Sequence, residues 1–314
     1  MQHLDDRLNH AREKSWQRFG KRIIFYLPGM FSYDGIRGKY PAISITGSQC
    51  ELQCEHCQGR TLDGMIPADT SNSLLETCLR LAKKGSQGVL ISGGCDREGR
   101  LPWDEVIPAI GEVKRRTDLY ISIHCGLIDF KTAQRLKESG VDEALIDVIG
   151  DDETYRHIYH LRFGVTRIEQ SLTALKQAGL PVVPHIVCGL HYGKMKGERK
   201  AVEIISRFRV RQVVIVSLMG IPGTPLGGTS PPRPEEIADI IAETRFKVPE
   251  AYISLGCARQ RGNVSIEILA IDAGVNRMAL PSEEAIRHAE KYGLEIRYQK
   301  TCCSVSRDFS LDHW

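Results

Sequence analysis

The sequence predicts an α/β fold, a parallel (βα)8 barrel of the TIM type. Three observations carry that expectation. Short β-rich runs alternate with longer helical runs, the pattern of parallel strands joined by crossover helices. Eight such pairs follow one another between residues 42 and 292, and eight is the number that closes a parallel barrel. No low-complexity linker interrupts them. At 314 residues the chain is about twice a typical domain, but barrels of this length occur as one unit.

The pairs read in order as follows. Ala42-Ile43-Ser44-Ile45 is the first strand, and Ser73 to Lys84 its helix, with Asn72 or Ser73 as N-cap and Gly85 ending it. Val89 to Ile91 is followed by a helix from Trp103 to Arg116, and Leu119 to Ile123 by one from Phe130 to Ser139 that Gly140 ends. Glu143 to Asp147 precedes a helix from Arg167 to Ala178, ended by Gly179. Val182 to Val187 pairs with Glu198 to Phe208, and Gln212 to Ser217 with Pro234 to Thr244, where proline suits the first turn. Tyr252 to Leu255 leads to Val264 to Ala273. The last strand, Val275 to Met278, leads to a helix that Ser282 caps and Gly293 ends. The expected organisation is an N-terminal extension over 1–39, the barrel over 40–295, and a tail over 296–314 that carries the Cys302-Cys303 pair.

Composition narrows the function. Hydrophobic residues make up 42% of the chain, enough for a core and against a disordered chain. Lys+Arg number 42 and Asp+Glu 39, a net charge of +3. That balance points to neither a nucleic-acid nor an anionic-membrane partner. The first residues, Met1 to Arg7, are charged and lack a signal core, and no apolar run approaches the roughly 20 residues of a spanning helix. A cytoplasmic protein with reduced thiols is expected. Ten cysteines in such a chain point to metal or redox chemistry.

In a parallel barrel the site forms where strands end and loops begin. The first strand runs into Cys50, Cys54 and Cys57, spaced C-x3-C-x2-C. Three thiolates on one short loop can hold three irons of a cubane cluster and leave the fourth open to a ligand. Zinc ordinarily closes its shell with a fourth ligand, and His56 lies too near Cys57 for the usual spacing, so a zinc module is the weaker reading. Further strands end in Gly93-Gly94-Cys95, His124-Cys125, Val187-Cys188 and Gly256-Cys257. A free Cys is ordinarily a small buried hydrophobe. Cys78, mid-helix among leucines, reads that way, whereas four cysteines after four strands are expected to converge in one cup.

The spacing after the first strand resembles the radical S-adenosylmethionine (radical SAM) superfamily. The resemblance implies a [4Fe–4S] cluster on Cys50, Cys54 and Cys57 whose open iron chelates S-adenosyl-L-methionine, and a 5′-deoxyadenosyl radical released by one electron. It implies that His56 lies near the adenine, that Gly93 and Gly94 approach the methionine amino group, that Asp147 lies near the ribose, and that Arg162 pairs with the methionine carboxylate. The arrangement is similar to biotin synthase in particular, where a second, sulfur-donating cluster is held by cysteines after the second, third and fifth strands and an arginine after the seventh. Cys95, Cys125, Cys188 and Arg259 match those positions, and the loop Gly223-Thr224-Pro225-Leu226 also matches.

The chain departs from that family at Cys257, an added thiol and candidate metal ligand, and in its tail. Lipoyl synthase ends in a short Arg-Ser-Ser-Tyr stretch whose serine reaches an auxiliary cluster. Here Thr301-Cys302-Cys303-Ser304 sits in a comparable place, so Cys302 and Cys303 are candidate catalytic residues, with a mobile tail of spare thiols as the alternative. Lipoyl synthase proper has three N-terminal cysteines, and this chain has none before Cys50. The combination resembles the archaeal-type two-component lipoyl synthase. That resemblance implies sulfur insertion at an octanoyl-lysyl group of a lipoyl carrier protein or domain. It also implies an auxiliary iron–sulfur cluster, a second radical SAM subunit and a ferredoxin- or flavodoxin-like electron donor. A radical mutase, biotin-type sulfur insertion and a non-catalytic iron–sulfur electron-transfer protein are the competing readings.

Overall fold

The computed structural model describes residues 2–33 and 35–314. Helix α1 (Gln2–Phe19) and strand β1 (Arg22–Tyr26) come first, and β2 (Ser32–Tyr33) pairs antiparallel with β3 (Ile36–Arg37). Then follow β4 (Ala42–Ser44), β5 (Ile66–Pro67) and α2 (Ser71–Lys83). The regular units are β6 (Gly88–Ser92) with α3 (Trp103–Arg116), and β7 (Tyr120–His124) with α4 (Phe130–Glu138). Strand β8 (Glu143–Asp147) carries two helices, α5 (Asp152–Ile158) and α6 (Val165–Gln177). After them come β9 (Val182–Cys188) with α7 (Glu198–Ser206), β10 (Gln212–Ser217) with α8 (Pro234–Lys247), and β11 (Tyr252–Leu255) with α9 (Val264–Asp272). The chain ends its regular structure with β12 (Arg277–Ala279), α10 (Glu283–Lys291) and β13 (Glu295–Gln299).

All eight expected strands form, as β4 and β6 to β12, in one curled parallel sheet of the TIM type. The sheet has eleven strands in the order β13-β1-β12-β11-β10-β9-β8-β7-β6-β4-β5. The eight therefore do not close on themselves by hydrogen bonds: β1 takes the place beside β12, and β13 lies beyond it. Closure is made by backbone contact instead. Leu27 N donates to Gln299 O at 2.9 Å and Lys39 N to Lys300 O at 2.6 Å, so the chain after β1 and after β13 runs against the start of β4. Gly29 and Gly38 sit at this seam, where a Cβ would strike the backbone of Tyr40 and Leu27 respectively.

The N-terminal segment is therefore part of the barrel rather than an extension. Helix α1 buries Leu8 and Ala11, its Arg7 bonds Asp239 and Glu243 of α8, and its Ser15 donates to Gly274 O at 2.6 Å. Strand β1 has the two-sided burial of a barrel strand: Ile23 and Phe25 join the helix-facing core, Ile24 and Tyr26 the lumen. Helix α2 starts earlier than its pattern suggests because Thr70, not Asn72 or Ser73, caps it, with Ser73 completing a capping box.

Side chains alternate along each strand. One set (Ile43, Ile91, Ile121, Ile123, Ile186, Ile215, Ile253) packs against the helices. The other faces the lumen, where Leu145, Val183, Val214 and Val216 form an apolar belt. Below this belt the lumen is filled by the chain's own tail. Cys302, Cys303 and Val305 pack with Ile24, Tyr26, Tyr40 and Tyr120. Gln212 Nε2 and Ser254 Oγ donate to Cys303 O at 2.7 and 3.3 Å, and Arg277 donates to Val305 O and Ser306 O at 2.9 and 3.1 Å. The mobile-tail alternative is overturned, because the polar groups of the lumen need the tail backbone as partners.

Glu143, at the start of β8, is fully buried and accepts bonds from Ser306 N, Ser306 Oγ and Tyr120 Oη. Burial outweighs these bonds and the nearby Arg277, and pushes its carboxyl from 4.5 up to about 7. The folded state thus holds a proton more tightly than the unfolded chain. The resulting stability is complete below about pH 4.5 and is lost as the pH rises through about 7, and amounts to about 3 kcal/mol. Glu143→Gln keeps an acceptor for Ser306 and removes the titration. The wild type should lose melting temperature between pH 4.5 and pH 7.5, and the variant should lose clearly less, as measured by thermal denaturation.

Candidate cofactor site at the barrel mouth

The loop after β4 coils tightly. Gln53, Gln58, Gly47 and Gly59 all have left-handed φ, between 45° and 77°, and Cys54 O accepts from both Cys57 N and Gln58 N at 3.1 and 2.8 Å. Buried Leu52 anchors the loop on the core. This geometry turns Cys54 and Cys57 inward, buried, and leaves Cys50 half-buried with its Sγ 3.9 Å from Cys95 O. The Cys54 thiol donates to Cys57. That bond, with His56 beside it, draws the Cys57 thiol down and pushes Cys54 up. A lowered thiol is the readier metal ligand of the two.

Strand β6 ends against this loop. Gly94 N donates to Thr46 Oγ1 at 2.7 Å, and Glu51 N to Cys95 O at 2.8 Å. A Cβ at Gly94 would collide with Gln49 O and lie 2.6 Å from the Cys50 Cα, and one at Gly93 would lie 3.1 Å from Ile45. Only glycine allows the strand end and the cysteine loop to approach so closely. On the far side, Arg60 donates to Pro222 O at 2.9 Å and Leu226 N to Glu55 O at 3.2 Å. The loop Gly223-Thr224-Pro225-Leu226 thus braces the cysteine loop.

Leu52, Gly93, Cys95, His124, Asp147 and Tyr159 line one cavity at the mouth. Asp147 is half-buried at the end of β8, with its carboxylate 3.8 Å from His124 Nε2. His124, Asp147 and buried His185 bring ligand-type atoms within 4.8 Å of one another. His185 is tied at both ring nitrogens, to Val183 O and to Ser304 Oγ, and burial draws it down to about 4, so it is neutral. His56 stacks 5.4 Å from Tyr159, and its Nδ1 is buried without a partner among the described residues. His124 and His185 escaped the sequence reading. Their signal was the strand alternation, which puts both on the same face as Asp147.

Other expected site residues lie elsewhere. Cys125 and Cys188 belong to the helix-facing core, one position beyond the lumenal His124 and Val187. Trp103 of α3 donates to Cys125 O at 3.0 Å, and the charge nearest Cys188 is Glu198 of α7. Cys95 stays at the mouth beside Cys50. Cys125 thus lies within reach of the charges of Asp147 and Cys95, whereas the charge felt at Cys188 is Glu198. Arg259 is fully buried but committed: it donates to Gly256 O and Leu280 O, and pairs with Glu267 of α9 at 2.7 Å. Arg162 is exposed on the turn between α5 and α6. Cys78 is core, as expected. Cys257, Cys302 and Cys303 meet in the lumen.

The donor set at the mouth suits a cluster held by three thiolates. Cys54 and Cys57 face each other, Cys50 stands apart, and a glycine strand end and an unpartnered imidazole nitrogen flank them. A parallel barrel with this loop defines a radical SAM enzyme. The chain belongs to the radical SAM superfamily, whose sequence model matches residues 44–201. A second model, the Biotin and Thiamin Synthesis associated domain, matches 205–309 and so includes the lumenal tail. A biotin synthase of Burkholderia cenocepacia (strain HI2424) is 26% identical over 251 residues, which cover 75% of this chain and 70% of that protein. A biotin synthase of Halorhodospira halophila (strain DSM 244 / SL1) is 26% identical over 254 residues, covering 76% and 74%. Among solved structures, a methylornithine synthase superposes with a TM-score of 0.64 at 19% identity, covering 93% of this chain and 89% of that one. A maturase of the [FeFe]-hydrogenase gives 0.67 at 13%, covering 93% and 68%. These two likenesses bear on the fold alone. Membership implies a [4Fe–4S] cluster and S-adenosylmethionine. No helix among the described residues is long and apolar enough to cross a membrane.

Gly94→Ala should displace the Cys50 backbone while leaving the barrel folded. Formation of 5′-deoxyadenosine under strong reductant should fall roughly tenfold or more, equivalent to about 1.4 kcal/mol, with an unchanged circular dichroism spectrum. Full activity would show that the approach of β6 to the loop does not matter.

Proposed function

We propose that this radical SAM enzyme inserts sulfur at unactivated carbon as a lipoyl synthase component, acting on an octanoyl-lysyl group of a lipoyl carrier protein or domain. The observation that carries the reading is the meeting of two thiol groups on one barrel: the loop set at the mouth and the tail set in the lumen. The match of the chain's second half to the Biotin and Thiamin Synthesis associated domain supports sulfur insertion as the class. The aliphatic side chains of Leu52, Leu101, Leu127 and Ile149 around the mouth cavity support an apolar substrate chain.

In this reading Cys50, Cys54 and Cys57 hold the first cluster, and Gly93 and Gly94 present backbone to the methionine amino group. Asp147 receives the ribose and His56 lies against the adenine. Arg162 reaches the methionine carboxylate by swinging in from its exposed turn. When bound, the cluster and S-adenosylmethionine would supply a hydrogen-abstracting radical for each electron from a ferredoxin- or flavodoxin-like donor, and an auxiliary iron–sulfur cluster would supply both the sulfur and the acceptor for the electron its insertion releases. The lumenal belt excludes water from the carbon under attack. A second radical SAM subunit shares the two insertions.

The similarity to biotin synthases favours a second reading, biotin-type insertion. One experiment separates the two. An octanoylated carrier peptide and a biotin precursor lacking the ring sulfur are each incubated anaerobically with the reduced enzyme, with and without a second radical SAM subunit. Mass spectrometry should show the octanoyl peptide gaining sulfur. A peptide that stays unchanged while the biotin precursor gains sulfur would overturn the acyl assignment.

A further inference from the structure

We propose that Cys257, Cys302 and Cys303 are the protein ligands of the second iron–sulfur cluster, inside the barrel. The inference rests on the sulfur-insertion reading and assigns the site that reading requires. It replaces the expected set of Cys95, Cys125, Cys188 and Arg259. Of that set, Cys188 is buried next to Glu198 of α7, Cys95 is at the mouth beside Cys50, and the guanidinium is held by Glu267.

Cys257 stands just after β11, while Cys302 and Cys303 come from the tail some 45 residues later, as 302 − 257 = 45. The fold nevertheless puts all three in one lumenal cluster with Tyr26 and Ala279. The Cys303 thiol lies beside both Cys257 and Cys302. Cys302 and Cys303 are buried, at 9% and 3% exposure.

The backbone around them is held in place. Gln212, Ser254 and Arg277 bond the tail carbonyls from the barrel wall, so the thiols are positioned before any metal arrives. Cationic groups stand by to offset thiolate charge. Arg261 donates to Cys257 O at 2.9 Å, and Arg259 stands two residues from Cys257 on the same loop.

Three thiolates fall one short of the four that close a structural zinc shell, and they suit a cubane that keeps one iron free of cysteine. Ser304, with its hydroxyl 3.5 Å from Cys302 Sγ, is a neighbouring oxygen donor for a remaining iron.

The inner site is also connected to the mouth. Asp147 lies 3.8 Å from His124, the His124 and His185 rings are 5.6 Å apart, and His185 bonds Ser304 at 3.0 Å, next to Cys302. A substrate carbon between Asp147 and Ser304 would have hydrogen removal on one side and a sulfur source on the other.

The test uses the full chain, reconstituted anaerobically with iron and sulfide. The unaltered protein should bind about eight irons, as two cubanes, and Mössbauer spectra should show two clusters, of which S-adenosylmethionine perturbs one. A Cys50→Ala, Cys54→Ala, Cys57→Ala variant should keep the cluster that S-adenosylmethionine does not perturb. Cys303→Ala or Cys257→Ala should lose that cluster and keep the other. Cys125→Ala and Cys188→Ala should keep both. A single cluster in the unaltered protein would overturn the assignment even if every variant misfolds, and so would a disulfide among the three thiols with no second iron signal. Loss of the second cluster from the Cys125 or Cys188 variant would overturn the assignment and leave sulfur insertion standing. A second cluster on the inner thiols without sulfur transfer to the octanoyl peptide supports the assignment and counts only against the acyl substrate.

Discussion

The alternation of side chains along a β-strand is the constraint on which this barrel's chemistry depends. Each strand can offer the lumen only every second residue. Ser122 and His124 of β7 look inward, as does Val187 of β9, which leaves Cys188 next to Glu198 of α7. A shift of one residue in either strand would exchange a thiol for an imidazole or an aliphatic side chain in the lumen. The inward face instead collects Asp147, His124 and His185 near the mouth and an apolar belt beneath them.

The lower lumen follows from the same alternation. Glu143, Gln212, Ser254 and Arg277 all fall on the inward face, and burying so many polar groups is costly unless each finds a partner. The tail supplies those partners with its own backbone and with Ser304 and Ser306. Arg277 is further stacked on Tyr252, 4.6 Å from the ring centroid. Polar floor and tail are therefore one device. Binding the tail satisfies the floor, and satisfying the floor carries Cys302 and Cys303 into the lumen.

At the mouth the device is steric. The absence of side chains at Gly93 and Gly94 lets β6 press against the cysteine loop, and the loop after β10 braces that loop from the other side. Mouth and floor are then joined by the contacts from Asp147 through His124 and His185 to Ser304. One cofactor loop and one buried tail thus address the same lumen from its two ends.

Much of this was legible in the sequence. The βα rhythm marked all eight expected strands, and the spacing of Cys50, Cys54 and Cys57 marked the mouth, because both signals are local: strand propensity and loop spacing act over a few residues. Strand β1 falls within the expected extension over 1–39, since its membership in the sheet depends on β12 and β13, more than 250 residues away. Helix α1 falls there too, because its buried face is narrow, with Leu8, Ala11 and Ser15 fully covered. The sequence by itself determined which residue types stand at the strand ends. Tertiary structure alone decided which of them share a space, because inward or outward direction depends on where each strand stops, and because the partner of Cys257 is brought to it by a tail whose course is dictated by polar groups on four different strands.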